Sequence, residues 1–80
     1  MKLHDSPWSR AALSPETRAR IERSLPAAAH MSLLAAGPRG PFTAIVAAPV
    51  GGVMAEVARV TRGSAEEAAA AALAWQEVTA

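Results

Sequence analysis

The chain lacks cysteine and tyrosine and has one phenylalanine, so neither a disulfide framework nor a thiolate zinc site exists. Charge is also scarce. Lys and Arg number 8, Asp and Glu number 7, and the net charge is +1. That near balance argues against nucleic-acid binding by bulk charge. Long apolar runs are missing too. The longest uncharged stretch, Gly40 to Ala55, is interrupted by Pro41, Pro49, Gly51 and Gly52. It is shorter than the roughly 20 residues that a spanning helix needs. No charged segment leads into an apolar run, so no signal peptide and no membrane partner are expected, and the expected compartment is the cytoplasm. The glycines form neither a GxxxxGK[ST] nor a GxGxxG phosphate loop.

What is present bounds the fold. Eighty residues suit one small domain, 1–80. A hydrophobic share of 51% against 19% charged residues excludes a charge-driven disordered chain. Alanine fills 21 positions, and alanine buries little area. The core therefore depends on a short set of large side chains: Trp8, Leu13, Ile21, Leu25, Leu33, Phe42, Ile45, Val46, Val53, Met54, Val57, Val60 and Trp75. Such a modest core predicts a monomer or a weak homodimer.

Local signals predict an α+β domain, ordered helix, three antiparallel strands, helix, with the helices on one sheet face. Residues 1–13 read as irregular, with a short helical turn from Pro7 started by Ser6-Pro7. Ser14-Pro15 opens a better helix that Pro26 stops, with Leu13, Thr17, Ile21 and Leu25 on one face. Strands are expected over His30 to Ala36, Phe42 to Ala48 and Val53 to Thr61, the last two joined as a hairpin through Pro49-Val50-Gly51-Gly52. Ser64 with Glu67 three positions on forms a capping box for a final helix over Ala65 to Thr79.

No catalytic constellation emerges, so a non-enzymatic protein without cofactor or metal is expected. His4 and His30 are the only histidines, and neither has a further ligand at a fixed spacing. Glu66 and Glu67 are adjacent on a helix and point about 100° apart, which suits capping better than shared acid–base work. None of the serines has a base at a recognisable motif spacing.

The candidate contact surface comes from the last helix. At about 100° per residue, Ala65, Ala68, Ala72, Trp75 and Thr79 share one side, expected to face the sheet with Trp75 as anchor. Glu66, Ala70, Leu73 and Glu77 share the opposite side. The predicted partner-binding residues are therefore Glu66, Leu73 and Glu77, with Glu67 at the edge: an apolar centre in an acidic rim. The alternative surface is the first helix, through Arg18, Arg20 and Arg23.

The order helix, three strands, helix is also that of double-stranded RNA-binding domains. Those carry a basic cluster where this chain has Glu66-Glu67, so no direct nucleic-acid contact is expected. The segments FTAIV, GGVMAEV and SAEEA resemble the small HicB-type antitoxin domain, which implies a module that occupies a small toxin. That family adds a DNA-binding element after the domain, and none is read here. The segment VMAEVARVTRGSAEEAAAAALAW is similar to small phage-encoded anti-CRISPR proteins. In these, too, a hairpin runs through a glycine-containing turn into an alanine-rich helix ending near Trp. The alanine- and arginine-rich composition fits a GC-rich bacterium or its phage. This resemblance implies a non-enzymatic inhibitor that binds subunits of a type I surveillance complex, with type I-C a fitting target. It would block target DNA binding or nuclease-helicase recruitment.

Overall fold

Each Ser-Pro pair starts a helix, as the sequence predicts. The computed structural model describes residues 2–78, with side chains as far as Gln76. Helix α1 (Pro7–Ala12) is capped by Ser6, whose side chain accepts from the Ser9 N–H at 3.4 Å. Helix α2 (Pro15–Ser24) is capped by Ser14, which accepts from the Thr17 N–H at 3.2 Å. Proline at the first helical position lacks an N–H that would be unpaired there anyway, and its φ suits the helix.

Strands β2 (His30–Ala35), β3 (Phe42–Val50) and β4 (Val53–Arg62) form the expected antiparallel meander. The turn is tighter than the sequence suggests. Val50 pairs with Val53, leaving only Gly51 and Gly52 between the strands, with φ of 59° and 84°. A two-residue hairpin of this kind needs two left-handed residues in succession, which glycine adopts without steric cost.

The expected three-stranded antiparallel sheet requires correction. A fourth strand, β1 (Leu3–Asp5), pairs parallel to β2, with Leu3 opposite Met31 and His4 opposite Ser32. The sheet is mixed, with strand order β1-β2-β3-β4. Three residues carry no readable period, so β1 has no sequence signal. Tertiary contacts hold it instead. The Glu22 carboxylate accepts from the Lys2 N–H at 2.9 Å and the Leu3 N–H at 3.1 Å, and Lys2 Nζ donates to the Leu25 carbonyl at 2.7 Å. The backbone hydrogen bonds to Glu22 hold its carboxyl below the usual range.

Helix α3 (Ala65–Leu73) begins where the capping signal places it, with Ser64 accepting from the Glu67 N–H at 3.1 Å. The predicted run to Thr79 is not continuous. Helix α3 stops at Leu73, and a short turn, α4 (Trp75–Val78), follows Ala74. Thr79 lies outside the described residues.

One core joins the helices to one sheet face. Leu3, Leu13, Ile21, Leu25, Met31, Leu33, Phe42 and Val46 form it with the alanines of α3. Alternation along β3 is regular: Phe42, Ala44, Val46 and Ala48 are buried and the residues between them are not. Four residues expected in the core lie elsewhere. Trp8, Val53 and Met54 are exposed, and Ile45 is half-buried on the uncovered face. Trp8 follows Pro7 in a short helix whose buried residue is Ser9, so the ring projects outward. Val53 and Met54 sit at the hairpin tip, beyond the reach of α3.

Candidate functional site

The predicted contact stripe on the last helix comes apart in three dimensions. Leu73, expected at its exposed centre, is only 8% exposed and belongs to the core. The buried residues of α3 are Ala65, Ala68, Ala69, Ala72 and Leu73. That arc is turned toward Leu73 from the predicted one because α3 packs both on β3 and β4 and against α1 and α2. Helical spacing reveals a face, but not a second layer against which the neighbouring face is also buried.

Glu66 is committed as well. Its carboxylate accepts from the Ser14 N–H at 2.9 Å and from the Thr17 hydroxyl. Partial burial pushes this carboxyl up, but the hydrogen bonds from Thr17 and Ser14 together outweigh it and hold it below the usual range. Glu67 is exposed. The side chain of Glu77 lies outside the described residues.

The alternative arginine surface is also divided. Arg18 forms an ion pair with Asp5, whose side chain is 3% exposed, and Arg10 approaches the same carboxylate at 3.4 Å. Arg20 and Arg23 are exposed. The hollow lined by Leu3, His4, Asp5, Arg10 and Arg18, about 530 Å³, holds two guanidiniums against one carboxylate, and both approach that carboxylate.

Sequence reasoning missed a second surface, along the outer strand β4. A β-bulge lies between the Val46–Ala58 and Ala47–Glu56 pairs, leaving Val57 without a ladder partner on β3. The extra residue brings Glu56 and Arg59 to one face, where they pair at 2.7 Å. In a regular strand, residues three apart would point to opposite faces. The Arg59 hydrogen bond holds the Glu56 carboxyl below its usual range, and Glu56 raises the guanidinium in turn. Val57 and Val60 turn toward the helix side, where with Ala58, Ala71, Ala74 and Trp75 they line a mainly apolar groove of about 310 Å³ that Arg59 also borders. Beyond it, the hairpin tip exposes 56% of Val50, 67% of Val53 and 50% of Met54.

No protein-family model, no curated protein and no solved structure matches the chain.

Among the described residues, no group of three or more His, Cys, Asp or Glu side chains is placed to hold a metal, and no helix is long and apolar enough to cross a membrane. Among the described residues β4 is the last strand of the sheet, with a groove beside it and an apolar tip. Those features suit docking of another polypeptide. A signal existed in the sequence: Val50, Val53 and Met54 flank two glycines, and a tip that tight cannot bury them.

Proposed function

We propose that this protein is a non-enzymatic inhibitor that docks on a protein subunit of a type I CRISPR surveillance complex in the bacterial cytoplasm. Docking would block target DNA binding or recruitment of the nuclease-helicase. One observation carries the reading. The stretch Val53 to Trp75, in which the likeness to anti-CRISPR proteins resides, folds into β4 and α3. It is the same stretch that forms the outer strand of the sheet and lines the groove, with two of the three exposed tip residues, Val53 and Met54. Apolar contact rather than imitation of DNA charge drives the docking, because Glu66 is spent on capping α2 and the net charge is +1.

The test is co-purification with a reconstituted type I complex, followed by DNA binding and nuclease-helicase recruitment by that complex. Wild-type protein should co-purify and abolish one of the two activities. Val53→Asp combined with Met54→Asp should release the complex without lowering the melting temperature, since both sites are exposed. Failure to bind any type I complex, with retention of a small toxin instead, would replace this reading by the HicB-like antitoxin module.

A further inference from the structure

The fold joins two residues that the sequence keeps 26 positions apart. His4 Nε2 and His30 Nδ1 lie 3.4 Å from each other, with ring centroids 5.5 Å apart. His4 sits in β1 and His30 begins the adjacent strand β2. Parallel pairing of His4 with Ser32 places His4 on the same sheet face as His30, the face that no helix covers. Both rings are exposed.

The spacing has a chemical meaning. Two nitrogens bound to one zinc ion at ~2.05 Å, with the tetrahedral angle between them, are about 3.3 Å apart. A hydrogen bond between two exposed neutral imidazoles adds little, because water competes for both partners. A metal ion binds the lone pairs of both rings together, each at ~2.05 Å, closer than any hydrogen-bonded water.

We infer that His4 and His30 form a two-histidine clip for a borderline transition-metal ion such as Zn²⁺, which cross-links β1 to β2. The other two positions of the tetrahedron are taken by water. Asp5 is not a ligand. It alternates to the other face and is held by Arg18 and Arg10. The chain has no cysteine and so no thiolate ligand, and hard cations prefer oxygen, so the two nitrogens select zinc and its transition-metal neighbours over magnesium or calcium. The clip closes the loop through α1 and α2 and fixes a three-residue strand, so binding to the folded chain stabilises it.

The test is thermal unfolding of the whole protein with excess zinc chloride, with magnesium chloride as control, and imidazole proton resonances recorded in parallel. Zinc should raise the melting temperature by several degrees and shift the ring signals of both histidines, and a chelator should reverse both effects. Magnesium should do neither. His4→Gln and His30→Gln, both at exposed sites, should melt like wild type without zinc, and each should abolish the rise. Three results would overturn the clip: no rise with zinc, an equal rise with magnesium, or a full rise retained in either variant.

Discussion

Glu66 completes the cap of a helix to which it does not belong. In an ordinary capping box the third residue of a helix reaches back to the N–H of its own cap residue. In α2 that third residue is Thr17, whose side chain is too short. Glu66 of α3 accepts from the Ser14 N–H at 2.9 Å instead, while the Thr17 hydroxyl donates to its other carboxylate oxygen. The start of one helix is thereby fixed to the start of another, 52 residues away. Glu66→Ala should cost about 1 kcal/mol, the usual scale of a lost cap, and Glu66→Gln less, because the amide oxygen still accepts. Thermal unfolding of the two variants measures the difference. Equal stability of Glu66→Ala and wild type would mean that the cap contributes nothing.

Leu73 carries more of the stability. It is the one large aliphatic side chain among the buried residues of α3, and the other four are alanines. Leu73→Ala should cost about 2–4 kcal/mol, within the range for buried leucine truncations. That is a large part of what an alanine-rich domain of this size has to lose. Leu73→Arg places a charge in the same space and should leave no cooperative unfolding transition. Urea denaturation followed by circular dichroism separates the two outcomes. A stable Leu73→Arg variant would return Leu73 to the surface.

Much of this fold is legible in the sequence because its signals are local. Ser6-Pro7, Ser14-Pro15 and Ser64 with Glu67 start three helices where they should, and Gly51-Gly52 makes the turn of the β3–β4 hairpin. What stays hidden depends on distant residues. Strand β1 exists because β2 pairs with it and Glu22 holds its first amides. The buried arc of α3 depends on α1 and α2 as well as the sheet, so a helical wheel drawn from α3 alone turns the wrong way and exposes Leu73. The bulge at Val57 breaks the two-residue alternation by which the faces of a strand are read, so the groove beside Trp75 is not readable from spacing. His4 and His30 become neighbours only through the parallel pairing.

Acid should destabilise the protein through its paired carboxylates. Backbone hydrogen bonds from Lys2 and Leu3 lower Glu22 from an ordinary value of 4.5; for Glu66, burial raises the pKa, but the hydrogen bonds from the Thr17 hydroxyl and from Ser14 together outweigh it and lower the group. A carboxyl whose pKa is lower in the folded chain binds protons more readily once unfolded. Its contribution is therefore complete above the unfolded pKa and disappears as pH falls through the folded one. The melting temperature should stay level from about pH 7 to about pH 5 as far as these groups are concerned, then fall. Glu22→Gln and Glu66→Gln should each flatten the acid limb while lowering the plateau. An acid limb unchanged in both variants would assign the loss to other groups.

The arginines of α2 should divide into one structural residue and two surface residues. Arg18 is 30% exposed and pairs with Asp5, whose side chain is 3% exposed; the other cation on that carboxylate, Arg10, is 69% exposed and 3.4 Å away. Removing the nearer guanidinium leaves a buried carboxylate with one weak, solvent-facing partner. Arg18→Ala should therefore cost about 1–3 kcal/mol, the range for leaving a buried acceptor short of its donor. Asp5→Asn removes the charge together with its need for a counter-ion and should cost less. In the Asp5→Asn background, Arg18→Ala should cost clearly less than it does in wild type, since the two act as a pair. Arg20→Ala and Arg23→Ala, at exposed positions without a buried partner, should each stay within about 0.5 kcal/mol of wild type. A double-mutant cycle on Asp5 and Arg18, with the two surface variants as controls, measures all of this from melting curves. If Arg20→Ala and Arg23→Ala keep wild-type stability yet abolish binding to the surveillance complex, the contact surface lies on α2, and the β4 edge is not the docking site.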